Sequence, residues 1–341
     1  MRHLFTNDYS SLCHPRILKA LERCMNEQNT AYGLDKHSLH AGELIKKVFS
    51  SHQGEVHFIP GGTATNLLFI SYALRPYEAV ICVESGHINI HETAAIEGSG
   101  HKILTAKGKD GKLYPEDILF ILKKHQDEYM VKPKLVYISN STEIGTIYYK
   151  QELLDLYRVC KEHDLYLFID GARLGSALTS KDNDVPYDIF GKYSDAFYVG
   201  GAKNGLLTGE ALVINNPNLQ KDFRYHIKNR GAMLSKGFMV GIQFEEAFKD
   251  GLYFDIAKKI NDTSDYLKDK FKELGLDMAY SPTNQIFVSF SKEVASKVIK
   301  EFGVELWEDK GDILTVRFVV SFTTTKGDVD DLINYLKDLT K

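Results

Sequence analysis

The chain has 341 residues, 43% of them hydrophobic and 26% charged, with a formal net charge of −4. This balance supplies a sizeable core and a charged surface, and its sign argues against nucleic acid or an anionic membrane as partner. No stretch approaches the ~20 apolar residues of a membrane helix, and Met1 to Asp8 lacks the apolar run of a secretory signal. The expected location is therefore cytoplasmic. The length exceeds that of a typical single domain, which points to a large domain accompanied by a smaller one.

In chain order, residues 1–15 read as an N-terminal segment and 16–250 as a large domain. Short apolar runs at Val56–Ile59, Ala79–Val83, Lys102–Thr105, Lys134–Ser139, Leu165–Ile169, Ala196–Val199 and Ala211–Ile214 predict seven strands. Helical patterns lie between several of them. The clearest is Gln151–His163, with Leu153, Leu156, Tyr157 and Cys160 on one stripe. Alternating strands and helices predict an α/β fold whose mostly parallel sheet is covered by helices. From Gly251 the pattern changes. A long helix carrying Ile256, Ile260, Thr263, Leu267 and Phe271 on one side precedes strand-like runs at Gln285–Phe290, Val304–Trp307 and Ile313–Val320. Helices are expected at Glu293–Phe302 and Val329–Leu339, so residues 251–341 read as a small α+β domain.

The four cysteines form no CxxC pair and have no zinc-ligand spacing. His87 and His91 are four apart, but Ser85-Gly86 places His87 in a loop or first turn, and no metal site is expected. Chemistry concentrates where two predicted strands end. One runs into Asp170-Gly171-Ala172-Arg173, the other into Gly200-Gly201-Ala202-Lys203-Asn204-Gly205. In parallel sheets ligands bind beyond the carboxyl ends of the strands. An acid and a glycine-flanked lysine in that position suit pyridoxal 5'-phosphate: the lysine forms the Schiff base, and the carboxylate keeps the pyridine nitrogen protonated. Pro60-Gly61-Gly62-Thr63-Ala64-Thr65 enters a predicted helix, where free backbone N–H groups can face a phosphate; alone, the segment reads equally well as an ordinary strand-to-helix turn. Arg317 stands among Val316, Phe318 and Val319, and a buried arginine there needs a carboxylate partner from substrate or protein.

Taken together, these motifs, with Tyr32-Gly33 and the His87 segment, resemble the pyridoxal-phosphate-dependent threonine aldolases of fold-type I, within the β-eliminating lyase group. The resemblance spans nearly the whole chain, and Asp-Gly-Ala-Arg is its most specific element. It implies an aldehyde-lyase cleaving the Cα–Cβ bond of L-threonine or L-allo-threonine to glycine and acetaldehyde. Lys203 would carry the internal aldimine, Asp170 would pair with the ring nitrogen and His87 would stack on the ring. Gly62, Thr63 and Ala64 would bind the phosphate. Arg173 and Arg317 would take the substrate carboxylate, with Asn7 where the family usually has an assisting serine. The resemblance also implies a homodimer or homotetramer with shared active sites, Tyr32-Gly33 and Lys228-Asn229-Arg230 reaching the neighbour. Two departures stand out. Ala202 replaces the usual serine before the lysine. Ser139-Asn140-Ser141-Thr142-Glu143 stands where the family has Thr-His-Asn, whose histidine touches the β-hydroxyl. The group acting there (Glu143, Thr142, His87 or a phosphate-linked water) is open at this stage. So is an aminotransferase or β-eliminating activity on another amino acid; a non-catalytic binding protein fits the intact Lys203, Asp170 and arginine set less well.

Overall fold

A computed structural model describes residues 3–339; the outermost residues of the expected terminal segments lie outside that range. Seven strands build the main sheet: β1 (Glu55–Ile59), β2 (Glu78–Val83), β3 (Lys102–Ala106), β4 (Lys132–Ser139), β5 (Tyr166–Asp170), β6 (Ala196–Gly200) and β7 (Glu210–Ile214). Their spatial order is β1-β7-β6-β5-β4-β2-β3. The pairs from β6 to β3 are parallel, and β7 lies antiparallel to both β1 and β6. The mostly parallel seven-stranded sheet expected from the sequence is thus present, with one reversed strand.

Each central strand is apolar on both sides because both faces of the sheet are covered. On β2, Ala79, Ile81 and Val83 enter one hydrophobic cluster, and Val80 and Cys82 enter the other. This is the two-residue alternation of a strand sandwiched between layers. Helix Lys150–Glu162 lays Leu153, Leu156, Val159 and Cys160 against the first cluster, while Tyr157 is only partly buried at its edge. The first cluster continues into a second sheet, in the order β8-β10-β9, formed by β8 (Gln285–Ser291), β9 (Glu305–Asp309) and β10 (Ile313–Val319), all antiparallel. Helix Leu252–Glu273 leads into it and buries Ile256, Ile260, Thr263, Leu267 and Phe271, the stripe read from the sequence.

Two features of the fold position the site. The N-terminal segment docks on the small sheet: Phe5 N–H donates to Phe302 O at 2.9 Å, and Phe5 O accepts from Val319 N–H at 2.9 Å. This carries the following residues, Asp8 and Tyr9, toward the carboxyl ends of the large sheet. There, β5 and β6 approach so closely at their ends that side chains are excluded. A Cβ on Gly171 would stand 1.9 Å from Tyr198 O, and one on Gly200 would stand 2.2 Å from Ala172 O. Gly200 N–H instead donates to Gly171 O at 2.9 Å.

Gly171→Ala must push these backbones apart. We expect it to cost at least about 3 kcal/mol, the upper end of overpacking penalties, because the obstacle is backbone and cannot rotate away. Urea denaturation measures this, and a loss under ~1 kcal/mol would show that the contact yields easily.

Candidate active site

Asp170 ends β5 and is buried. Its Oδ2 accepts from Tyr137 Oη at 2.6 Å and Asn66 Nδ2 at 3.0 Å, and its Oδ1 accepts from the Ala172 amide at 2.9 Å. Burial alone would raise the carboxyl's pKa. The charge of His87 and hydrogen bonds from Tyr137, Tyr198 and Asn66 outweigh that and hold it below the ordinary aspartate value. Asp170 is therefore a fixed negative charge with acceptor capacity left on Oδ1.

Asn66 belongs to helix Gly62–Ala73, which follows β1 directly. No side chain caps the start of this helix, so its first amides are open to an anion. Gly62 is also packed closely, since a Cβ there would lie 3.1 Å from the Tyr198 hydroxyl. Gly62, Thr63 and Ala64 thus open a helix tied to Asp170 through Asn66.

Lys203 lies in the 3₁₀ turn Ala202–Asn204 that leaves β6. Burial, then the Arg173 guanidinium, lower its pKa, while Asp8, Asp170 and Glu210 act in the opposite sense. Beneath the turn, Glu210 is buried and accepts from the Gly201 amide at 2.7 Å; burial raises its carboxyl.

Lys203, His87, Arg173 and Arg317 line one cleft of about 280 Å³, together with Tyr9, His91, Glu143, Gln285 and Glu305. His87 opens the single turn His87–Ile90, as its glycine-preceded position suggests. Its Nδ1 contacts Glu92 Oε1 at 2.7 Å, and the same oxygen accepts from Asn66 Nδ2 at 2.7 Å. Glu92 therefore holds the imidazole and the Asp170 partner together. Glu143 is buried, with Oε1 accepting from Ser139 Oγ at 2.6 Å and from the His87 amide at 3.1 Å. Burial raises its pKa, and Asp170 adds to the rise against the pull of Ser139 and His87.

The two arginines differ. Arg173 forms a side-on pair with Asp8, Nε–Oδ2 at 2.7 Å and Nη2–Oδ1 at 3.1 Å, and Asn284 Nδ2 donates to Asp8 Oδ2 at 3.0 Å. Burial would raise Asp8, but Arg173 and then Lys203 bring it below its ordinary value. Arg317 contacts Glu305 and donates through Nη1 to Gln285 Oε1 at 3.1 Å; its buried Nε has no partner. Trp307 lies 5.3 Å from its guanidinium carbon. Asn7 is not among the residues lining the cleft. Its Oδ1 accepts from Tyr9 N–H at 3.0 Å and Ser10 Oγ at 2.8 Å, while its neighbour Tyr9 lines the cleft and Asp8 pairs with Arg173.

Asp8, Asn66, Glu92, Tyr137 and Glu210 escaped sequence reasoning, since each acts through a neighbour distant in the chain. A further cluster also escaped it. Cys24, Glu27 and His37 bring ligand-type atoms within 4.8 Å of one another. Both His37 nitrogens already contact carboxylates, Glu27 at 2.9 Å and Glu245 at 2.6 Å, and burial raises the Cys24 thiol. That is an ion-paired histidine beside a protonated thiol, a poor metal ligand set.

A fixed carboxylate, a lysine with a lowered pKa, an uncapped helix start and two arginines lining one cleft together fit pyridoxal phosphate and an amino acid. Residues 8–293 match the Beta-eliminating lyase family, and the chain belongs to it. It is 43% identical to a solved Leishmania major threonine aldolase, with a TM-score of 0.97, covering 99% of this chain and 100% of that one. The low specificity L-threonine aldolase of a Pseudomonas species is 31% identical over 96% of this chain and 94% of its own length. That of Pseudomonas aeruginosa is 30% identical over 94% and 92%. A putative L-allo-threonine aldolase from Listeria monocytogenes, 17% identical with a TM-score of 0.75, shares the fold.

Asp8→Asn leaves Arg173 buried without its counter-charge and should cost about 3–5 kcal/mol at neutral pH, as breaking a buried pair does. Because the folded pKa of Asp8 lies below its unfolded value of 3.8, the stabilisation is complete above that value. It is lost as pH falls through the folded pKa. Denaturation from pH 7 into the acid range should therefore show the two proteins converging as pH drops; parallel curves would contradict this pairing.

Proposed function

We propose that this chain cleaves the Cα–Cβ bond of β-hydroxy amino acids, converting L-threonine or L-allo-threonine to glycine and acetaldehyde. The observation carrying this reading is the gathering of Lys203, Arg173 and Arg317 in one cleft, with Asp170 buried behind it. Family membership and the printed activities of the relatives support it. Pyridoxal phosphate, when bound, supplies an electron sink conjugated to the amino group of the amino acid.

The chain's own groups do the rest. Lys203, whose amine burial makes easier to deprotonate, would hold the cofactor covalently as the site's nucleophile. Asp170, kept ionised by its donors, would hold a proton at the ring nitrogen of the bound cofactor. The amides of Gly62, Thr63 and Ala64 receive the phosphate at the helix start. His87, anchored by Glu92, would cover the cofactor ring. Arg317, steadied by Gln285, binds the substrate carboxylate, and Arg173, fixed and neutralised by Asp8, forms a rigid wall beside it. Fixing the carboxylate fixes rotation about Cα–N and so selects the bond to be broken.

A cytoplasmic setting, a two-domain division near Gly251 and a homodimer or homotetramer belong to the same reading. Among the described residues no helix is long and apolar enough to cross a membrane, and all four cysteines are free, which suits a reducing compartment. Exposed Leu12, Leu18, Met25, Leu34 and Leu39 along the N-terminal helices supply apolar surface for self-association. Tyr32 and Lys228 share one patch there, with Nζ 4.7 Å from the ring centre.

Aldehyde release from L-threonine and L-allo-threonine, with glycine measured alongside and pyridoxal phosphate supplied, tests the activity. Equimolar glycine and acetaldehyde are expected. Release of ammonia and an oxo acid, or keto-acid-dependent loss of the amino group, would replace this reaction with elimination or amino transfer. Lys203→Ala should retain the fold by circular dichroism, abolish turnover and lose covalent cofactor attachment; covalent attachment surviving in the variant would refute the role given to Lys203.

A further inference from the structure

Cleavage next to a β-hydroxyl requires a group to take the hydroxyl proton, and the roles assigned above leave that group unnamed. Glu143 has the right environment. It lines the cleft, yet is buried, and its two oxygens are unequally engaged. Oε1 is held by Ser139 Oγ and the His87 amide, which fixes the plane of the carboxyl. Oε2 is buried and has no hydrogen-bond partner. A buried polar oxygen without a partner is costly unless a ligand or water supplies one. The main-chain contact of Oε1 with His87 places the Glu143 carboxyl beside the residue proposed to cover the cofactor face. Of the other carboxylates near the cleft, Asp8 is committed to Arg173, and Glu305 contacts Arg317 at the rim. His91 stands at the exposed mouth.

We propose that Glu143 is a catalytic residue of this cleft that accepts the substrate's β-hydroxyl proton, an inference resting on the aldol-cleavage reading above. As the O–H proton passes to Oε2, the hydroxyl oxygen's electron pair forms the aldehyde C=O and the Cα–Cβ bond breaks. The bonding pair stays on the glycine portion, where the cofactor holds it. One proton is taken from oxygen and one is returned to Cα, so the reaction balances without a redox partner. Burial raises the Glu143 pKa above the ordinary glutamate value, which strengthens its carboxylate as a proton acceptor.

The test separates C–C cleavage from chemistry that needs no β-hydroxyl. Glu143→Gln is loaded with pyridoxal phosphate and compared with wild type in two assays: aldehyde release from L-threonine, and exchange of a glycine α-proton in deuterated water followed by NMR. The exchange uses Lys203, Asp170 and both arginines but has no hydroxyl proton to remove. We expect Glu143→Gln to lose cleavage by about 10²- to 10⁴-fold while exchange stays within about twofold, and Glu143→Asp to recover part of the cleavage. Cleavage at the wild-type rate in Glu143→Gln overturns the proposal. An equal fall in both assays also overturns it, making Glu143 a support for His87. Selective loss in His91→Phe, with cleavage intact in Glu143→Gln, assigns the proton to the imidazole instead. If Glu143→Gln fails to bind cofactor, Glu143→Asp alone decides: cleavage and exchange falling together refute the role. No aldehyde from wild type with any β-hydroxy amino acid would sink the underlying reading itself, an outcome distinct from active wild type beside an active glutamine variant.

Discussion

The buried carboxylate of Asp170 is the constraint around which the site is organised. Removing a charge from water costs several kcal/mol, and an acid at the end of a central strand stays ionised only if its surroundings donate to it. The donors come from separate parts of the fold: Asn66 from the helix after β1, Tyr137 from β4, Ala172 from the turn after β5, and Tyr198 from β6. Satisfying one carboxylate therefore fixes the helix start that faces an anion, the strand beside it and the turn leading to Arg173. Asn66 also bonds Glu92, which holds His87, so the imidazole is placed by the same network. The glycine contact between β5 and β6 completes the arrangement by bringing the Lys203 turn alongside.

Much of this was legible in the sequence, for a physical reason. Strands buried on both faces are apolar almost throughout, so the inner runs of the main sheet stand out without reference to partners, while the edge strands β1 and β3 keep exposed positions. Asp170 and Lys203 are conspicuous because a charge at the end of such a run needs a purpose. The reversal of β7 left no trace, since a strand's direction is set by its connection and neighbours rather than its composition. The supporting groups were hidden for a similar reason. Asn66 reads as one polar residue near a helix start, and Tyr137 as one aromatic in an apolar strand; each acquires meaning only when folding brings it to Asp170. Asp8 lies beside Asn7, the position that the resemblance singles out. What distinguishes them is docking of the N-terminal segment on the small sheet, which turns Asp8 toward Arg173 and leaves Asn7 bonding its own turn.

The arginines show how burial divides similar residues into different tasks. Asp8 is 1% exposed, bonded to Arg173 through two atoms and to Asn284 through a third contact. Such a pair is not exchanged for an incoming anion, because either partner left alone would be a buried uncompensated charge. Glu305 is 45% exposed on β9, where separation from Arg317 returns a carboxylate to water at a cost of about 0–1 kcal/mol. Arg317 also keeps a buried Nε with no partner and lies against the Trp307 ring, which holds the guanidinium plane when its counter-ion leaves. In the reaction we propose, an amino-acid carboxylate entering the cleft would meet one arginine whose charge is already neutralised and another whose partner is cheaply displaced. The positive potential that would draw the substrate in thus comes chiefly from Arg317, and Arg173 would serve as the rigid wall against which the bound carboxylate is oriented.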